Sequence, residues 1–263
     1  MGLFLAISAQ ISYNATFTII TIGLVENIMP AVKEASNQSY YETHPETGGI
    51  PVELQAMLER ITPERLNARL DELSGIFSTR SEYGPDAHLG DDFPERRIGE
   101  GGSREAFTEA DFKARDLVES WMEGILREKY KDAYTDPTES ITKTARIRTY
   151  MGGITVEQNA AGVIVTYAPE GTARSKPAIA FGSHIDTVKR AGRYDGQGGI
   201  AAGICVLETL IESDAIPGVP MKFVVVTGEE SGKVAFSGSQ ILARGLNVDQ
   251  LDTTIEMGVS LSV

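Results

Sequence analysis

Three short segments in the last third of the chain concentrate residue types that can do hydrolytic chemistry. The first, Gly182-Ser183-His184-Ile185-Asp186-Thr187, follows an apolar run from Ala178 to Phe181. The second, Gly192-Arg193-Tyr194-Asp195-Gly196, precedes a helical pattern. The third, Thr227-Gly228-Glu229-Glu230-Ser231-Gly232, follows a second apolar run over 221–227. His184 and Asp186 are two apart, so they point the same way where the backbone is extended. Glu229 and Glu230 sit at the end of the next predicted strand, and Asp195 on the loop between. One imidazole and four carboxylates should therefore converge on one rim. That much negative charge in a cleft is costly unless something compensates it, and a divalent cation would. Imidazole with carboxylates suits zinc, manganese, cobalt or nickel. A shared Asp could bridge two ions about 3.5–4 Å apart, the spacing of two-metal hydrolases. A carboxylate near the histidine would orient its ring. A spare Glu beside a liganding one could take a proton from the attacking water. Taken singly, each motif has a plainer reading: a structural histidine, a glycine turn, an exposed Glu pair. Their order, and the strands behind them, favour chemistry.

These residues need a scaffold, and the periodicity supplies one. Leu54, Leu58 and Ile61 predict a helix, and Thr62-Pro63-Glu64 starts another, with Thr as cap and Pro in the first turn. Leu66, Leu70 and Leu73 form its inner stripe, and Gly75 ends it. Thr108-Glu109-Ala110-Asp111 opens a further helix in capping-box style. Ala114, Val118, Trp121, Met122 and Ile125 follow at helical spacing. Residues 154–167 read as a hairpin around Asn159 to Gly162. The runs 178–181 and 221–227 read as buried strands, with a helix over 199–212 between them and another starting near Ser237. Strand, crossover helix, strand implies an α/β fold with a mostly parallel sheet flanked by helices. In such sheets ligands bind beyond the carboxyl ends of the strands, where the three motifs fall. Residues 34–52 read as a polar linker and 78–104 as a loop whose acidic run, Asp91-Asp92, is a solvated surface.

Composition excludes some partners. The 263 residues carry 37 acidic and 24 basic side chains, a net charge of −13. Nucleic-acid binding needs a basic surface, so no nucleic-acid partner is expected. The single cysteine, Cys205, can form neither an internal disulfide nor a thiolate cluster, which fits a cytoplasmic location. Residues 1–25 are uncharged, but they lack the basic start of a signal peptide and residues 7–18 alternate polar with apolar. A membrane or signal segment is the less favoured reading of that stretch.

Over roughly residues 62–263 the three motifs resemble the metal-dependent amidohydrolases that include N-carbamoyl-L-amino-acid hydrolase, β-ureidopropionase and allantoate amidohydrolase. These lie within the aminoacylase- and carboxypeptidase-like metallohydrolase superfamily. The segment Arg104 to Met122 and the run Phe236-Ser237-Gly238-Ser239 are similar to that family as well. Asp195 follows His184 by eleven residues, an interval similar to the carbamoylase branch. The resemblance implies that His184 is a ligand of one metal, Asp195 the bridging carboxylate and Glu230 a ligand of the second. It implies Glu229 as general base and Asp186 as the residue that orients His184. It implies two divalent ions (zinc, or manganese, cobalt or nickel), whose hydroxide attacks the carbonyl of a small ureido or amide substrate such as an N-carbamoyl amino acid.

The family's members are longer. They add a lid and dimerisation domain after the Glu pair, and two further histidine ligands. Here no histidine follows His184, and His44 and His88 lie outside the motifs. The chain therefore reads as a leader and linker over 1–52 and the N-terminal part of a catalytic domain over 53–263. Weak or partial metal binding and little turnover are expected of it alone, and a homodimer only where the further domain is present. Two alternatives stand beside this: a non-catalytic pseudoenzyme that pairs with an intact homologue through a sheet edge, and an aminoacylase or peptidase of the same superfamily.

Overall fold

The computed structural model describes residues 52–76, 103–188, 191–230 and 236–244. Five α-helices are formed there: α1 (Val52–Leu58), α2 (Pro63–Ser74), α3 (Glu109–Tyr130), α4 (Gln197–Glu212) and α5 (Ser237–Arg244). The six strands are β1 (Thr138–Ile141), β2 (Ala145–Tyr150), β3 (Ile154–Asn159), β4 (Gly162–Tyr167), β5 (Ile179–His184) and β6 (Met221–Val226).

The helix starts obey local chemistry. The Thr62 hydroxyl accepts from the Arg65 amide, and Pro63 occupies the first turn, where a missing N–H costs nothing. Thr108 caps α3 by accepting from the Asp111 amide. The reciprocal half of the capping box is displaced by one residue: the Asp111 carboxylate accepts from Phe107 N–H. Gly75 does end α2, but at φ −77° rather than in the left-handed region, its amide donating to Asp71 and Glu72 carbonyls.

The strands form one sheet in the order β1-β2-β3-β4-β6-β5. β1 through β4 are a meander of antiparallel neighbours, and β4 pairs antiparallel with β6. Only β5 and β6 run parallel, joined through α4. The α/β class and the strand-helix-strand unit are as expected. The sheet is mixed, however, and its parallel share among the described residues is that one pair. The reason is that β1 and β2 extend the predicted 154–167 hairpin outward, where no crossover helix intervenes.

The core lies between the sheet and the helices. Val163 and Val165 on β4 and Met221, Phe223 and Val225 on β6 are buried against α3 and α4, which also touch each other. Ala114, Val118, Trp121, Met122 and Ile125 are buried on α3, as the spacing predicts. Gly203 lets α4 come down onto Phe223, since a Cβ there would fall within 3 Å of that ring. Alternate residues Ala180, Gly182 and Lys222 are exposed on the opposite face. No helix among the described residues is long and apolar enough to cross a membrane. The segment 1–25, the linker 34–51, the acidic loop with Asp91-Asp92, His44 and His88 lie outside the described residues.

Candidate metal and catalytic site

Parallel pairing brings the first and third motifs together. His184 is the last residue of β5 and stands opposite Val226, the last residue of β6. Glu229 and Glu230 therefore lie just past the carboxyl end of the neighbouring strand. Ligand atoms of His184, Glu229 and Glu230 all lie within 4.8 Å of one another, a group that can hold a metal ion. Asp195, half-exposed, places its Oδ1 3.7 Å from His184 Nε2.

The imidazole is fixed by its other nitrogen. His184 Nδ1 lies 2.9 Å from the backbone carbonyl of Asp186. A carbonyl only accepts, so Nδ1 carries a proton, and in the neutral ring this leaves the Nε2 lone pair for a ligand. The contact from Asp186 to the His184 ring is through its main chain; its carboxylate stands 4.0 Å from Nδ1. That carboxylate accepts the Glu229 amide on Oδ1 (3.2 Å) and the Glu230 amide on Oδ2 (3.1 Å). Asp186 is 1% exposed and couples both halves of the site. Burial pushes its carboxyl above the usual range, opposed by His184 and the two amides. Glu230 is also raised, first by burial and then by the carboxylates of Glu229 and Asp195. A cation would relieve that crowding, and the imidazole and carboxylate donors fit zinc or a similar divalent ion.

Close packing holds these loops. Gly196, at φ 66°, lies flat against His184, and an added Cβ would sit 2.5 Å from the ring's Nδ1. The Glu229-Glu230 turn is joined to the start of α5: the Phe236, Ser237 and Gly238 amides donate to the Glu229, Gly228 and Thr227 carbonyls. Phe236 (φ 60°) and Phe107 (φ 62°) both occupy the left-handed region, at about 1–3 kcal/mol each.

Beneath the rim lies a set of buried charges that sequence reasoning missed. Asp111 accepts from the Thr227 hydroxyl at 3.0 Å and from Arg115 Nη2 at 2.6 Å. Arg104, 2% exposed, donates from Nε to the Ile185 carbonyl at 2.8 Å. Its Nη1 donates to the Leu73 and Ile76 carbonyls. Burial lowers its pKa to about 10, against the pull of Asp111 and Asp186. The available signal was Asp111 and Arg115, four apart on the apolar stripe of α3.

Comparison with known proteins shows what part of the chain is similar to. Residues 162–261 match the model of peptidase family M28. The resemblance read from the motifs is borne out by the relatives. An N-carbamoyl-L-amino acid amidohydrolase of Geobacillus stearothermophilus is 29% identical over 164 residues, covering 62% of this chain and 33% of that protein. A ureidoglycolate hydrolase of Arabidopsis thaliana is 31% identical over 132 residues, covering 49% and 28% respectively. Among solved structures, a hydantoinase/carbamoylase family amidase from Burkholderia ambifaria shares 24% identity over 74% of this chain and 37% of its own, with a TM-score of 0.47. The chain spans about a third of the length of the relatives it matches.

Proposed function

We propose that this chain carries part of the catalytic domain of a metal-dependent hydrolase that cleaves linear ureido or amide C–N bonds, with N-carbamoyl amino acids or related ureido acids as substrates. The observation that carries the reading is the His184, Glu229, Glu230 group at the carboxyl ends of β5 and β6. The names of the relatives support the bond type. In this reading His184, Asp195 and Glu230 would hold the divalent ions, zinc or manganese being the first to try. A divalent ion bound there would acidify the attacking water and polarise the scissile carbonyl. Glu229 takes a proton from the water and passes it to the departing nitrogen. Asp186 keeps the His184 ring and the Glu229-Glu230 backbone in register. With an N-carbamoyl substrate, water adds to the ureido carbon, ammonia leaves, and the carbamate loses carbon dioxide to free the amino acid.

The test uses the protein at its native length from its source. Zinc- or manganese-loaded protein should release ammonia from N-carbamoyl amino acids. Glu229→Gln should lower kcat by about 100- to 10,000-fold while the bound metal is retained. Full activity in that variant, or in metal-stripped protein, would remove the mechanism. The family description favours a second reading, hydrolysis of peptide bonds. A higher kcat/KM for short peptides than for ureido acids would select it. No turnover of either class would leave the non-catalytic partner reading.

A further inference from the structure

We infer that Arg104 is a positioning residue for the candidate metal site, acting through Asp186. The inference rests on the proposed metal reading and deepens it. The Arg104 side chain donates from Nε to the Ile185 carbonyl, 2.8 Å away. Its own amide donates to the Thr187 hydroxyl at 2.7 Å, and its carbonyl accepts from the Thr187 amide at 2.7 Å. One residue therefore grips the chain on both sides of Asp186. The Ile185 amide is in turn bonded to Val226 on β6, 2.8 Å away. Ile185 is thus pinned at both its N–H and its C=O, and the Thr187 amide held by the Arg104 carbonyl sets the other side of its own peptide, the Asp186 carbonyl, toward His184 Nδ1. The same restraint aims its carboxylate at the Glu229 and Glu230 amides.

The guanidinium is suited to this by its fork. While Nε holds Ile185, Nη1 reaches the Leu73 and Ile76 carbonyls at 3.0 and 2.7 Å, at the end of α2. A lysine would bring the charge without the fixed fan of donors. No carboxylate is hydrogen-bonded to Arg104 among the described residues, and it is 2% exposed. A buried cation whose side-chain hydrogen bonds among the described residues all go to main-chain carbonyls serves to orient the chain. Nothing in the proposed chemistry requires it to touch substrate.

The test compares Arg104→Lys and Thr187→Val with Val118→Ala, a core variant that controls for lost stability. Three quantities are read on the full chain: the thermal midpoint, the tautomer of His184 by nitrogen-15 NMR, and the dissociation constant for zinc. Wild-type His184 should show a single Nδ1–H tautomer. Arg104→Lys should give mixed tautomers and weaken zinc about tenfold, a usual effect of losing an outer support of a ligand. Thr187→Val, which removes the hydroxyl acceptor but keeps the shape, should move both in the same direction by less. Val118→Ala should lower the midpoint and leave both unchanged. A wild-type tautomer and zinc constant in Arg104→Lys would overturn the inference. So would equal changes in Val118→Ala. If Arg104→Lys does not fold, Thr187→Val decides alone. A wild-type chain with the fixed tautomer but no zinc binding would sink the metal reading, and the tautomer would still decide the role of Arg104.

Discussion

At the scale of single residues, the site is held by atoms that make no claim on substrate. The His184 ring is wedged between the Asp186 carbonyl and the Gly196 backbone. Gly196→Ala should therefore be felt twice. A left-handed φ of 66° strains any residue with a Cβ, and that Cβ would press on the imidazole. The expected outcome is a loss of about 1–3 kcal/mol in urea unfolding together with zinc affinity weakened about tenfold. Unchanged zinc binding would mean that the ring does not need Gly196 to stay in place.

At the scale of elements, legibility followed burial. α3, α4, the β3–β4 hairpin and β6 each bury an apolar face, β5 half-buries Ile179 and Phe181, and their periods stand out in the sequence. β1 and β2 do not. β1 is exposed along its whole length. β2 spends its charged residues on ion pairs: Arg146 and Arg148 both reach Glu119 at 2.7 Å, and Arg148 also pairs with Glu139. Their sequence shows no clear period; in the structure they are cross-element partners. The site divides the same way. His184, Glu229 and Glu230 were legible because each follows an apolar run, although the first of these, read as a buried strand, is only half-buried as β5 because no strand pairs with its outer edge among the described residues. Arg104 and Asp111 were not, because a charge on an apolar stripe declares itself only when its partner is seen. Asp111→Ala should test how much that buried set contributes. It strands Arg115 without its carboxylate, and removing one member of a buried pair costs about 3–5 kcal/mol. Urea unfolding should show that loss, with partial recovery in Asp111→Ala combined with Arg115→Met. A loss no larger than that of a surface variant would mean that water replaces the pair.

At the scale of the whole molecule, buried acids other than carboxylates set an alkaline limit. Burial pushes the Cys205 thiol from 9.0 up to about 11. It pushes Tyr150 and Tyr167 from 10.0 up to about 12. The unfolded chain ionises these groups first, so above pH 9 it binds fewer protons than the folded chain and stability falls as pH rises. The contribution of Cys205 is complete below about pH 9 and is lost between about 9 and 11, that of the tyrosines between about 10 and 12. Urea midpoints should be flat from pH 7 to 8.5 and decline beyond. Cys205→Val should remove the earlier part of the decline and leave the later part. A midpoint constant to pH 10, below which the opposite contribution of Arg104 does not enter, would contradict the burial of Cys205.

The arrangement of the strands also bears on time. β1 to β4 pair with neighbours a short turn away, and loops of that size close quickly. β5 and β6 can meet only after α4 and its connections have been laid across the sheet, and Arg104 reaches Ile185 across a sequence separation of 81. Pairings of long reach are made late, because the entropy of closing the loop is spent before the contact returns anything. The rim that carries His184 and Glu229 should then be among the last regions to form as the chain folds. A metal ion arriving early would meet separated donors, and one arriving late would find them assembled.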